Sequence, residues 1–136
     1  MIIKLRKIKE TSDLSYMFKE YDSIVNIKGM TCKPENISSM FELCKFLERI
    51  PDISHLDTSN VIDMNSLFDD CCSLISLPDI SNLNTSKFKD MRLMFNKYEK
   101  LSLLPDVSKW NTENVNAILA LFQGCSFIQS LPDISK

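Results

Sequence analysis

Glycine is nearly missing from this chain, with two in 136 residues. That excludes glycine-rich phosphate loops and argues against tight β-hairpins, which both need backbone that side chains disfavour. Charge of one sign is lacking too: 16 basic residues face 18 acidic ones, for a net −2. No electrostatic footprint for nucleic acid results, and no basic amphipathic helix for a membrane surface. No apolar run approaches the ~18–20 residues of a membrane span, so no membrane insertion is expected. The opening "MIIKLRKIKE" alternates apolar and basic residues and lacks the apolar core of a secretory signal. From this chain alone the expected location is therefore cytoplasmic. Five cysteines, an odd number, fit reduced, buried thiols better than a disulfide framework.

What the chain has is repetition. "LERIPDISHLDT", "LISLPDISNLNT" and "LSLLPDVSKWNT" are near-copies, and "IQSLPDISK" begins a further one. Pro51, Pro78, Pro105 and Pro132 recur at intervals of 27 residues, as do Phe41, Phe68, Phe95 and Phe122. Phe18 precedes Phe41 by only 23, so the first unit is short. A fixed period of this size signals stacked units, each burying its apolar face against its neighbours.

Within a unit, Val61, Met64, Leu67 and Phe68 fall on one helical face, and Phe88, Met91, Met94 and Phe95 repeat the spacing. Pro34 suits a first helical turn, and Thr58, Ser59 or Asn60 offers a cap. A short strand is expected around residues 75–77, ending near Pro78, because proline cannot donate to a ladder. One strand and one helix in 27 residues match a leucine-rich repeat better than an αα-hairpin stack. The expected fold is thus an α/β solenoid, a right-handed stack of strand-turn-helix units. About five repeats would fill a single domain at residues 11–136, the last incomplete, behind an N-terminal cap at 1–10.

The phrase from Thr58 to Thr85, repeated from Trp110 to Ile134, resembles the BspA-like leucine-rich-repeat surface proteins. It is most similar to their sub-group with a mycoplasma-type lipoprotein repeat. The resemblance implies a bacterial or protist adhesion or binding protein, usually a longer array, located at the cell surface.

Stacking turns a repeated residue into a ladder, and each ladder has a structural and a functional reading. Asp52, Asp79, Asp106 and Asp133 would either lock their own turns or gather Ca²⁺, and the turn reading is preferred. Asp57, Asn84 and Asn111 would serve backbone groups where strand pairing ends, rather than form a recognition strip. Cys44, Cys71 and Cys125 share a slot with Tyr21 and Tyr98, which reads as packing at the core edge; a Cys44–Cys71 disulfide is sterically conceivable but not favoured. The Met and Phe stripes read as core rather than as a cofactor groove. His55, the single histidine, reads as an exposed loop residue rather than half of a Cys–His pair. No enzyme, metal or cofactor is expected.

The expected function is a non-enzymatic binding or adhesion module that presents the x positions of L-x-x-L to a protein partner. Arg49, Ile75, Ser76, Leu103, Ile128 and Gln129 are the candidate contacts, with Ile75, Leu103 and Ile128 as an apolar row. The alternative is a structural spacer, or a piece of a longer array without a partner of its own. The unfinished phrase at Lys136 leaves a coil without a polar cap, so residues 121–134 are expected to be shielded by another chain or to fray. End-to-end self-association is one form of such shielding.

Overall fold

A computed structural model describes residues 11–23 and 32–131. The cap expected at 1–10, together with Asp133 and the rest of residues 132–136, lies outside them.

The expected helices are not there. Among the described residues no helix forms, and strand pairing shrinks to isolated parallel bridges. The strand-turn-helix solenoid is therefore overturned. In place of each helix stands a ridge of successive β-turns, at residues 13–21, 36–44, 63–71, 90–98 and 117–125. In the third ridge the Leu67 N–H donates to the Met64 carbonyl and the Asp69 N–H to that of Ser66, closing turns three residues long. Ser66 and Asp70 take positive φ of 54° and 56°. Tyr16, Glu20, Ser39, Leu43, Leu93, Lys97 and Ala120 do the same in the other ridges, and Gly124 completes the pattern at 74°. A left-handed residue every four positions interrupts any α-helix, and each non-glycine one costs about 1–2 kcal/mol.

The N–H groups freed from helical bonding cross to the next ridge. Met64 donates to the Asp90 carbonyl at 3.1 Å, Ser66 to Arg92 at 2.8 Å and Asp70 to Asn96 at 3.2 Å. The ring spacing shows why this arrangement displaces a helix. Phe18, Phe41, Phe68, Phe95 and Phe122 stack in one row with centroids 5.4–6.2 Å apart and planes within 22°. Packed helices stand 8–10 Å apart, whereas hydrogen-bonded backbones stand about 4.8 Å apart. Units close enough to stack every phenylalanine have no room for helices.

Asx turns start the first four ridges: Asp13, Asn36, Asp63 and Asp90 each accept the N–H two residues on, at 2.8–3.0 Å. Ala117 occupies this place in the fifth. Opposite the ridges, Leu47, Leu74 and Leu101 and then Ile53, Ile80 and Val107 bury a second side of the core. Trp110 stands in register with Leu56 and Leu83, crosses Phe88 edge to face, and donates its Nε1–H to the Ile80 carbonyl at 3.0 Å.

One core residue fits poorly. Tyr98 takes the slot of Cys71 and Cys125, and its buried hydroxyl has no hydrogen-bond partner among the described residues. An unpaired buried hydroxyl costs about 1–3 kcal/mol. Tyr98→Phe keeps the ring and removes that cost. We expect it to raise the stability measured by urea denaturation by about 1 kcal/mol or more; a loss would show that the hydroxyl is satisfied.

Candidate interaction face

The L-x-x-L segments line one edge of the stack, and only one of the expected strand contacts survives there. Arg49 and Ser76 form a parallel bridge, and the Ile75 N–H donates to the Glu48 carbonyl at 3.0 Å. Above it the Arg49 Nη1–H donates to Ser76 Oγ at 3.0 Å, so the guanidinium lies across the second and third units. Beside this pair is an open hollow of about 450 Å³, which Asp52 and Asp79 also line. A second hollow, about 220 Å³, follows between the third and fourth units, lined by Ile75, Ser76 and Leu103 among others. Ile75 is 45% exposed and Leu103 69%.

Four of the six candidate contacts thus gather on two neighbouring hollows: Arg49, Ile75, Ser76 and Leu103. Gln129 is exposed in register with Glu48, Ile75 and Ser102, one unit beyond them. Ile128 is misplaced in the sequence reading. It stands in register with the inward Leu47, Leu74 and Leu101 and is half-buried. The row of Ile75, Leu103 and Ile128 does not form a single line, because Ile75 and Leu103 also hold different x positions.

The acidic ladder is committed to turns. Asp52, Asp79 and Asp106 each accept the N–H of the serine two residues on at 2.9 Å. The Ser81 hydroxyl and amide hold the Asp79 carboxyl below its ordinary value. Asp57, Asn84 and Asn111 make the same turn rather than facing inward to serve strand ends. Ser59's hydroxyl and amide, with the Lys33 ammonium at 3.0 Å, hold Asp57 down to about 2. Among the described residues no cluster of three or more His, Cys, Asp or Glu is placed to hold a metal.

The repeated cysteines are donors as well as packing groups. Cys44 Sγ–H donates to the Phe18 carbonyl at 3.1 Å, Cys71 to Phe41 at 3.0 Å and Cys125 to Phe95 at 2.8 Å. Each thiol ties the ring row of one unit to its own. All are free thiols, so no Cys44–Cys71 disulfide is present. The neighbouring Cys44 thiol, and then burial, push Cys71 well up, which leaves it protonated and a poor nucleophile. His55 is exposed in the turn closed by the Leu56 N–H on the Ile53 carbonyl.

The threonines were missed as linkers. Thr58 Oγ1 accepts the Asn84 N–H at 2.8 Å and lies 3.1 Å from its carbonyl, donating to it. Thr85 accepts the Asn111 N–H at 2.7 Å in the next unit. Recurrence of Thr58, Thr85 and Thr112 at the repeat interval was the available signal. Buried at 3% exposure, Thr58 and Thr85 serve backbone groups where the Asx turns break the ladder.

No characterised protein and no solved structure matches the chain. One family does, over residues 12–134, and the chain belongs to it: the family described as Mycoplasma protein of unknown function, DUF285.

Proposed function

We propose that this chain is a non-enzymatic binding module that offers its L-x-x-L edge to a protein partner. The observation that carries this reading is the pair of adjoining hollows, with Arg49 and Ser76 as polar contacts and the exposed Ile75 and Leu103 as apolar ones. Apolar side chains set beside a charged group on a rigid edge are a common composition for an interface. The resemblance to BspA-like surface proteins supports the narrower reading of an adhesion module on a cell surface.

A spacer role is the second reading. Its support is that the Asp, Asn, Thr and Cys ladders are spent on internal hydrogen bonds. Affinity capture separates the two. The immobilised chain is expected to recover one defined protein, and the Ile75→Glu/Leu103→Glu pair to weaken that capture at least tenfold. Far-ultraviolet circular dichroism of the pair should match the parent. Recovery unchanged by the substitutions would move the site elsewhere, and no reproducible recovery would favour the spacer.

A further inference from the structure

Cysteines share a slot on adjoining units at one place: Cys44 of the second unit and Cys71 of the third, 27 residues apart. Tyr98 stands between Cys71 and Cys125 in the same slot. Residues in one slot of neighbouring units lie as far apart as the backbones that carry them. Just before this pair those backbones are bonded: the Phe41 N–H donates to the Leu67 carbonyl at 3.0 Å and Leu43 to Asp69 at 2.8 Å. Hydrogen-bonded backbones stand about 4.8 Å apart, inside the ~4.4–6.8 Å between Cα atoms that a disulfide spans.

The two side chains are also brought together. Cys44 and Cys71 donate to the carbonyls of Phe18 and Phe41, each one unit back, and both residues are fully buried. Their thiols lie within hydrogen-bond reach of one another. Both carbonyls have a second donor: Phe18 accepts the Tyr21 N–H at 3.3 Å and Phe41 the Cys44 N–H at 3.4 Å. Turning both S–H groups away therefore leaves neither acceptor unpaired.

We propose that Cys44 and Cys71 form an oxidation site that closes reversibly into a disulfide between the second and third units. The oxidant is a peroxide, small enough to enter when the two units open locally. The Cys71 thiol beside it holds Cys44 below its ordinary value, so Cys44 reacts first. Its sulfur attacks one peroxide oxygen, the O–O bond breaks, and the departing hydroxide takes the Cys44 proton and leaves as water. The Cys71 sulfur then displaces the hydroxyl of the Cys44 sulfenic acid, which departs with the Cys71 proton as a second water. Two thiols lose two electrons, and one peroxide is reduced to two waters. The bond ties together the units that share the Arg49–Ser76 contact, five residues further along each. An oxidising exterior keeps it closed and a reducing cytosol keeps it open.

The test exposes the native full chain to hydrogen peroxide, alkylates the remaining thiols in urea, and maps tryptic peptides by mass spectrometry. A cross-link with the loss of two hydrogens is expected, and dithiothreitol should remove it. Fragment ions should place it at Cys44 and Cys71 rather than at Cys32 and Cys72, which share their peptides. Cys72→Ser, at a half-buried position, should keep the cross-link, and Cys44→Ser should abolish it. The oxidised chain should unfold at a urea midpoint higher than the reduced chain's by about 1 M or more. Full alkylation of Cys44 and Cys71 after native oxidation overturns the proposal. So does a cross-link that forms only in urea or joins other cysteines, or an oxidation that lowers the midpoint.

Discussion

Replacing Phe68 with alanine is expected to remove about 3–5 kcal/mol of stability, the cost usual for truncating a fully buried aromatic. Phe68 is the middle ring of five, 0% exposed, and stacks on Phe41 at 5.8 Å and Phe95 at 6.2 Å. Its loss interrupts the row on both sides, and close backbone spacing prevents collapse onto the void. Offset stacking adds about 0.5–1.5 kcal/mol per aromatic pair beyond the area buried. Phe122→Ala provides the comparison, since among the described residues that ring stacks only on Phe95 and is half-buried. Its cost should be less than half as large. Urea denaturation of both variants measures the difference. Equal costs, or a Phe68→Ala loss below about 1 kcal/mol, would mean that the row does not act as a continuous stack.

The phenylalanine row was legible because it depends on register alone. The 27-residue interval brings Phe41, Phe68, Phe95 and Phe122 into one row whatever the local backbone does. The Pro-Asp-Ile-Ser turns were legible because an aspartate that accepts the N–H two residues on is a local interaction. The cysteine slot was legible as packing, but not as a set of thiol donors to the phenylalanine carbonyls, which depends on backbone exposed between units.

The ridges were not legible as turns. Closing successive turns at three residues places Val61, Met64, Leu67 and Phe68 inward just as a helical face would. The usual discriminator is glycine at positive φ, and here it is mostly withheld: among the described residues nine such positions carry other residues, among them Leu43, Leu93 and Lys97, and Gly124 alone is glycine. Scarce glycine therefore removed the signal that would have marked a run of turns. The stack tolerates the strain because each left-handed residue lies beside backbone groups bonded to a neighbouring unit. On the candidate edge, the two-residue gap between leucines singled out Arg49, Ile75, Ser76 and Leu103, which line the two hollows. Ile128 was misassigned because "CSFIQSLPD" sets an isoleucine where earlier units have leucine, shifting the apparent gap by one.

The two descriptions of the ridge make opposite predictions for glycine at a left-handed position, and Ala120 is where they part; Ser66 measures how much the ridge contributes to the stack. Ser66→Pro is expected to cost about 3 kcal/mol or more. Proline fixes φ near −65°, while Ser66 sits at 54°, and proline also lacks the N–H that Ser66 gives to the Arg92 carbonyl at 2.8 Å. The substitution thus opens the third ridge and leaves a carbonyl of the fourth unpaired. A helix interior would suffer comparably, so this loss measures how far the ridge supports the stack without identifying its form. Ala120→Gly identifies the form. In a helix it costs about 1 kcal/mol. At a φ of 57° it relieves a steric conflict of about 1–2 kcal/mol, partly offset by the freer unfolded chain. A net gain of several tenths of a kcal/mol is therefore expected in urea denaturation. A clear loss would return the ridge to the helical reading. With Ser66→Pro disruptive and Ala120→Gly stabilising, the non-glycine turns are a tolerated cost, set by the need to keep successive rings within stacking distance.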